Sequence, residues 1–114
     1  MLGVIEDVEK HRTTPEFKAD GDIVIYIGAD RVGLGGTEYL KVIHGLTKGD
    51  APELDIPFEV NLQETLLAAI KEGFITAAHD ISDGGLATTL AEMAIFGERG
   101  AKVSLESLSG DIAE

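Results

Sequence analysis

Asp80 and Asp83 stand in the run Ala78-His79-Asp80-Ile81-Ser82-Asp83-Gly84-Gly85-Leu86-Ala87, which leads into Thr88-Thr89-Leu90-Ala91-Glu92-Met93-Ala94. Two carboxylates and a glycine pair between a short β-like run and a helix suit a metal-bound phosphate. A helix N-terminus offers unpaired N–H groups and positive dipole, and glycines let an anion approach the backbone. Carboxylates alone repel phosphate. Asp80 and Asp83 serve such a site only if Mg²⁺ lies between them and the phosphate oxygens, with waters completing its shell. A plainer reading makes Ser82 or Asp83 an N-cap and Gly84-Gly85 a close helix–strand contact. On spacing alone the plainer reading is the stronger, because short motifs recur by chance.

The remaining polar residues offer less chemistry. His79, at a strand end, acts as a general base only with a substrate proton within hydrogen-bond reach; a histidine at such a junction is more often satisfied by a neighbouring backbone group. His11 and His44 read as surface or loop residues. Ser82, Ser104, Ser107 and Ser109 have no convincing histidine partner, so no nucleophile–base pair is visible. The acidic cluster Glu53, Asp55 and Glu59 reads as a solvated face around a linker.

The elements that must position these residues alternate along the chain. Leu2 to Val8 alternates loosely, as a short strand does, and a turn is expected at Ala19-Asp20-Gly21-Asp22 after the polar stretch that Phe17 anchors. The β-branched run Ile23-Val24-Ile25-Tyr26-Ile27 predicts a strand covered on both faces. A flexible loop follows at Gly33-Leu34-Gly35-Gly36, then a helix after Thr37 with Leu40, Ile43 and Leu46 on one face, ended by Gly45 and Gly49. Beyond the linker Asp50-Ala51-Pro52, Pro57 sits just ahead of a helix over about 58–72, with Leu62, Leu66, Ala69 and Ile70 as its buried stripe and Gly73 as its C′ residue. Phe74 to His79 predicts a second buried strand, and Leu86, Leu90, Met93 and Ala94 the apolar stripe of the next helix. Gly97 and Gly100 bracket a turn into a strand over 101–105, and residues 108–114 begin another helix.

Composition bounds the function. The 114 residues form one domain or part of one, enough to bury roughly two thirds of the unfolded surface. With 21 acidic and 9 basic residues and a net charge of -12, the chain lacks the footprint of a nucleic-acid binder and is repelled by anionic membranes. The lack of cysteine excludes disulfide, thiolate and Cys-zinc chemistry within the chain. Neither a signal-peptide pattern nor a membrane-length apolar run is present, so a soluble cytoplasmic protein is expected. Strands alternating with helices indicate a sheet covered by helices. That sheet stops after three or four strands, leaving an edge that a partner or further chain must cover.

Three stretches together resemble the small-type phosphoribosylformylglycinamidine synthases, a family of glutamine-dependent enzymes of purine biosynthesis. They are Gly3-Val4-Ile5-Glu6-Asp7-Val8 with Thr13-Thr14-Pro15-Glu16-Phe17, then Gly35-Gly36-Thr37-Glu38-Tyr39-Leu40, and then residues 78–87 with Ala91-Glu92-Met93-Ala94. Their order and spacing match the family, and they cover most of the chain. The resemblance implies an α+β fold: a three-layer α/β/α unit like the C-terminal domain of the aminoimidazole ribonucleotide synthetase superfamily. Residues 1–114 would be a single, partial domain of that type, the second of two such copies in the parent polypeptide.

The parent reaction, as the resemblance implies, uses ATP and Mg²⁺ to activate the formamide oxygen of formylglycinamide ribonucleotide, which ammonia from glutamine then displaces. It implies Asp80 as a Mg²⁺ ligand, structural and not catalytic in this copy, and Asp83, Gly84 and Gly85 at an auxiliary nucleotide site. The family's catalytic residues lie mainly in other domains, so none is assigned here and the chain alone is expected to be inactive. Its partners would be the other domains of the synthase and the glutaminase and small accessory subunits, with self-association through an open sheet edge; nucleic acid and membranes are not expected partners. A hydrogenase-maturation ATPase of the same superfamily also carries a carboxylate and Gly-Gly-Leu-Ala at this junction, although Gly35 to Leu40 argues for the synthase. A free-standing interaction or scaffold module that binds no nucleotide is the reading from a different class.

Overall fold

The computed structural model describes residues 2–28, 32–104 and 112–113. Its elements are β1 (Val32–Gly33), α1 (Glu38–His44), α2 (Ile56–Lys71), α3 (Gly85–Phe96) and β2 (Ile112–Ala113). The chain divides into two compact units, one of Met1–Ile25 with Gln63–Val103 and one of Tyr26–Leu62 with Ser104–Glu114.

In the second unit β1 and β2 pair in parallel, Val32 with Ile112 and Gly33 with Ala113. A parallel pair cannot be closed by a tight turn, and here almost eighty residues separate the strands. The loop after β1 is packed instead of flexible. The Gly36 amide donates to the Lys48 carbonyl at 3.1 Å, and a Cβ at Gly35 would stand 2.2 Å from the Asp50 carbonyl oxygen. Only glycine admits that approach. Thr37 caps α1, its hydroxyl accepting from the Leu40 amide at 3.4 Å and donating to the Leu34 carbonyl at 2.6 Å. Gly45, left-handed at φ 65°, closes α1, so Leu46 lies beyond the helix on whose face it was expected.

α2 begins earlier than its periodicity predicts. The Asp55 carboxylate accepts from the Phe58 amide at 2.9 Å, making Asp55 the N-cap and Pro57 the second helical residue. Proline is tolerated there because the first-turn amides have no intrahelical acceptor. At the other end Gly73 is the C′ residue, as expected, with φ 78°. Its amide donates to Ile70, and that of Phe74 to Ala69, both at 3.0 Å. These two bonds satisfy carbonyls that a helix end otherwise leaves unpaired.

In the first unit the polar stretch before residue 20 docks on the segment leading to α3. Thr14 forms a parallel bridge with Ala77, and the Ala78 amide donates to the Thr14 carbonyl at 3.2 Å. Arg99 pairs with Asp20 at 2.7 Å. Thr14 donates to Glu16 at 2.7 Å, and Lys18 contacts both. The Lys18 ammonium and the Thr14 hydroxyl hold the Glu16 carboxyl down to about 2.

Several expected strands are not formed. Residues 2–8 do not pair; Asp7 instead organises a turn, its carboxylate accepting from the Glu9 and Lys10 amides at 3.1 and 3.3 Å. Residues 23–27 form no ladder, and Ile23 is 87% exposed. The run expected to be covered on both faces is half or more exposed at each of its five positions. In the expected strand over 74–79 only Ala77 makes a bridge, and Phe74 is exposed. Residues 101–104 do not pair, and residue 105 lies outside the described residues. Of the helix expected over 108–114, residues 112–113 form β2 instead and the rest lies outside the described residues. The described residues thus hold three helices and one two-stranded sheet, with less strand than the expected layers contain. No apolar side chain among them is fully buried; the one buried side chain is Thr89.

Candidate functional site

The junction 78–87 contains no paired strand after Ala77, and its backbone reaches α3 through a turn in which the Gly85 amide donates to the Ser82 carbonyl at 3.0 Å. Gly84 and Gly85 both adopt left-handed conformations, φ 88° and 70°, which cost a side-chain-bearing residue about 1–2 kcal/mol each. A Cβ at Gly84 would also collide with the Thr88 side chain, 2.2 Å from its hydroxyl, whereas at Gly85 it would meet nothing within 4 Å. Gly84 is the N-cap of α3, so neither Ser82 nor Asp83 caps the helix. The plainer account of these two side chains therefore fails.

With no side-chain cap and no acidic residue in its first turn, α3 keeps the uncompensated positive end that attracts anions. Asp83 precedes it, exposed and without a hydrogen bond or ion pair among the described residues. The Asp80 carboxylate is 83% exposed. His79, only 15% exposed, turns its ring back onto the chain: Nδ1–H donates to the Asp80 carbonyl at 2.9 Å, and Nδ1 lies 3.4 Å from Asp80 Oδ1. Its Nε2 stands 3.2 Å from a Glu92 carboxylate oxygen, a hydrogen bond when that nitrogen carries a proton. His79 is thus satisfied by a neighbouring backbone group and by α3, as the residue-level reading of such junctions expects.

Thr89 and Glu92 escaped the sequence reading as parts of the site. The Thr89 hydroxyl lies 3.3 Å from the Asp80 carbonyl oxygen and 3.3 Å from that of Gly85. The available signal was its position: Thr89 falls within the stripe of Leu86, Leu90 and Met93, where a hydroxyl needs a buried acceptor.

The donor set is consistent with Mg²⁺ held jointly with phosphate and inconsistent with a closed protein cage. Among the described residues no three His, Asp or Glu side chains converge to hold a metal. Mg²⁺ commonly takes one or two carboxylates, retains waters and fills its remaining positions with phosphate oxygens. An exposed Asp80 in the loop that leads to a glycine-opened helix start without a side-chain cap fits that pattern.

Comparison with known proteins places the chain in a family. The chain belongs to the AIR synthase related proteins, C-terminal domain family, whose profile matches residues 19–113. Its relatives include phosphoribosylformylglycinamidine synthase subunit PurL of Caldanaerobacter subterraneus subsp. tengcongensis, 49% identical over 98% of this chain and 15% of the relative. The protein of the same name from Thermoanaerobacter sp. (strain X514) is 48% identical over the same shares. That from Symbiobacterium thermophilum is 53% identical over 83% of this chain and 12% of the relative. The chain therefore spans about 15% of the length of the first two relatives. No solved structure matches it. No helix among the described residues is long and apolar enough to cross a membrane.

Proposed function

We propose that this chain is a portion of a phosphoribosylformylglycinamidine synthase, and that residues 1–114 are a partial, second C-terminal-type domain of its three-layer α/β/α kind. The observation that carries the reading is the 49% identity to a PurL subunit over 98% of the chain. The exposure of residues 23–27 supports it, since strand-forming apolar residues need cover that the described residues lack. Other domains of the same polypeptide supply that cover; without them the isolated chain self-associates through an open sheet edge. The complete enzyme works in the cytoplasm with glutaminase and small accessory subunits. It converts formylglycinamide ribonucleotide to the amidine at the expense of ATP and glutamine.

Within this domain Asp80 is a Mg²⁺ ligand, and Asp83, Gly84 and Gly85 border the phosphates of an auxiliary nucleotide. Mg²⁺ there neutralises phosphate charge that two carboxylates would otherwise repel. Gly84 and Gly85 bring the backbone close, and the N-terminal amides of α3 face the anion. The domain carries no catalytic residue of its own.

The test compares the isolated chain with the full-length polypeptide reconstituted with a glutaminase. The isolated chain is expected to hydrolyse no ATP, while the full assembly forms amidine product with glutamine and ATP. ATP turnover by the isolated chain that is abolished by Asp80→Asn, or absence of amidine formation in the full assembly, would overturn the proposal.

A further inference from the structure

We infer that Thr89 and Glu92 are positioning residues that hold the Asp80 main chain in register with the N-terminus of α3. The inference rests on the reading of Asp80 as a Mg²⁺ ligand. Such a site has two halves from different segments: a carboxylate from the loop before α3, and phosphate-facing amides from the first turn of α3. A metal bridging to phosphate tolerates little change in their separation, because Mg²⁺ demands near-ideal octahedral geometry at about 2.0–2.1 Å.

Two contacts join the halves: Thr89 to the Asp80 carbonyl, and Glu92 to His79, whose other ring nitrogen meets the same carbonyl. The Thr89 hydroxyl lies 3.3 Å from that oxygen and equally far from the Gly85 carbonyl in the first turn. His79 Nδ1–H donates to the same oxygen at 2.9 Å, and His79 Nε2 lies 3.2 Å from a Glu92 carboxylate oxygen, to which it donates when it too carries a proton. A carbonyl has two lone pairs, and this one is approached by two donors. Thr89 and Glu92 are three residues apart and share a helix face. That face thus reaches the Asp80 carbonyl directly through the Thr89 hydroxyl, whose one hydrogen is shared with the Gly85 carbonyl, and indirectly through His79, while the Asp80 carboxylate remains 83% exposed.

Each contact has an ordinary explanation taken singly. A mid-helix threonine often bonds the carbonyl four residues back, and a surface His–Glu pair contributes little stability. Neither explains convergence on one carbonyl nine residues before Thr89, nor why Thr89 is the one buried side chain among the described residues, at 5% exposure.

The experiment uses the full-length polypeptide with ADP and Mn²⁺ as the metal probe. The quantity read by electron paramagnetic resonance is the fraction of bound Mn²⁺ that Asp80→Asn removes, with thermal unfolding recorded alongside. Thr89→Val, which keeps shape and removes the hydroxyl, is expected to weaken that fraction's affinity about tenfold, the lower end for groups supporting a metal ligand. Thr89→Ser is expected to restore it. Wild-type affinity in Thr89→Val, or equal losses in Thr89→Val and Thr89→Ser, would overturn the positioning role while leaving Asp80 as a ligand. If Asp80→Asn removes no Mn²⁺, the metal reading itself fails and the inference with it. Should Thr89→Val not fold, Glu92→Ala, on a partly exposed side chain, carries the test: a loss of Mn²⁺ affinity supports the role and wild-type affinity overturns it.

Discussion

The Phe17 amide donates to the Met93 carbonyl at 3.1 Å, and that carbonyl also accepts from the Gly97 amide at 3.1 Å. A chain segment distant in sequence thereby enters the C-terminal end of α3 through the second lone pair of a carbonyl already bonded in the last turn. The approach leaves no room beside Gly97: a Cβ there would stand 2.6 Å from the Phe17 carbonyl oxygen and 3.1 Å from its nitrogen. Gly97→Ala is therefore expected to destabilise the full-length polypeptide by about 1–3 kcal/mol, the range for overpacked sites. The cost is steric, since the Gly97 φ of -85° suits any residue. Gly100→Ala, where a Cβ meets nothing within 4 Å, is the control; equal denaturation midpoints for the two variants would refute the prediction.

Asp55 is the second case. Its carboxylate holds the first turn of α2 at the Phe58 amide, and Asp55→Ala should cost about 1 kcal/mol, with Asp55→Ser recovering most of it. Urea denaturation of the three proteins measures this, and no difference between them would remove Asp55 as the cap.

Asp80 and Leu90 should behave oppositely. Leu90 is half-buried in α3, so Leu90→Ala should lower stability by about 1–2 kcal/mol, less than the 2–5 typical of a fully buried leucine. Asp80→Asn, at an exposed carboxylate, should change stability by less than about 0.5 kcal/mol and yet reduce Mg²⁺–ADP binding measured by calorimetry. Unfolding of the Asp80 variant as severe as that of the Leu90 variant would make Asp80 a structural residue.

The Glu16 carboxyl should titrate near 2, below its ordinary 4.5, because the Lys18 ammonium and Thr14 hydroxyl favour its charged form. A depressed folded-state value contributes stability that is complete above about 4.5 and is lost as pH falls towards 2. Lys18→Met should move the midpoint back towards 4.5, followed by carboxyl ¹³C shifts with Glu16→Gln to assign the signal. An unchanged midpoint would dissociate Lys18 from the effect.

Helices were legible in the sequence because their signals are local. Gly73 ends α2 where its place after the apolar stripe predicts, and Thr37 caps α1 one residue before the helix. Asp55 has a capping side chain but reads as part of an acidic face, so the expected start of α2 falls two residues late and leaves Pro57 ahead of the helix instead of in its first turn. Strands were less legible because pairing is not local: Ile23 to Ile27 has the composition of a covered strand, but composition does not specify what covers it. At the candidate site Asp80, Asp83 and the glycine pair were visible as residue types in order. The Thr89 link was not, since it depends on a backbone carbonyl, and a sequence does not display where carbonyls point.

The scarcity of buried apolar surface also has a calorimetric meaning. The heat-capacity increment of unfolding and the denaturant slope both scale with surface newly exposed when structure is lost, and residues such as Ile23 and Phe74 are already in water. Heated by itself, this chain should absorb little excess heat and lose its helices gradually, over tens of degrees. A sharp endotherm would appear only when another surface covers these residues, so the width of the transition reports directly on whether they are covered.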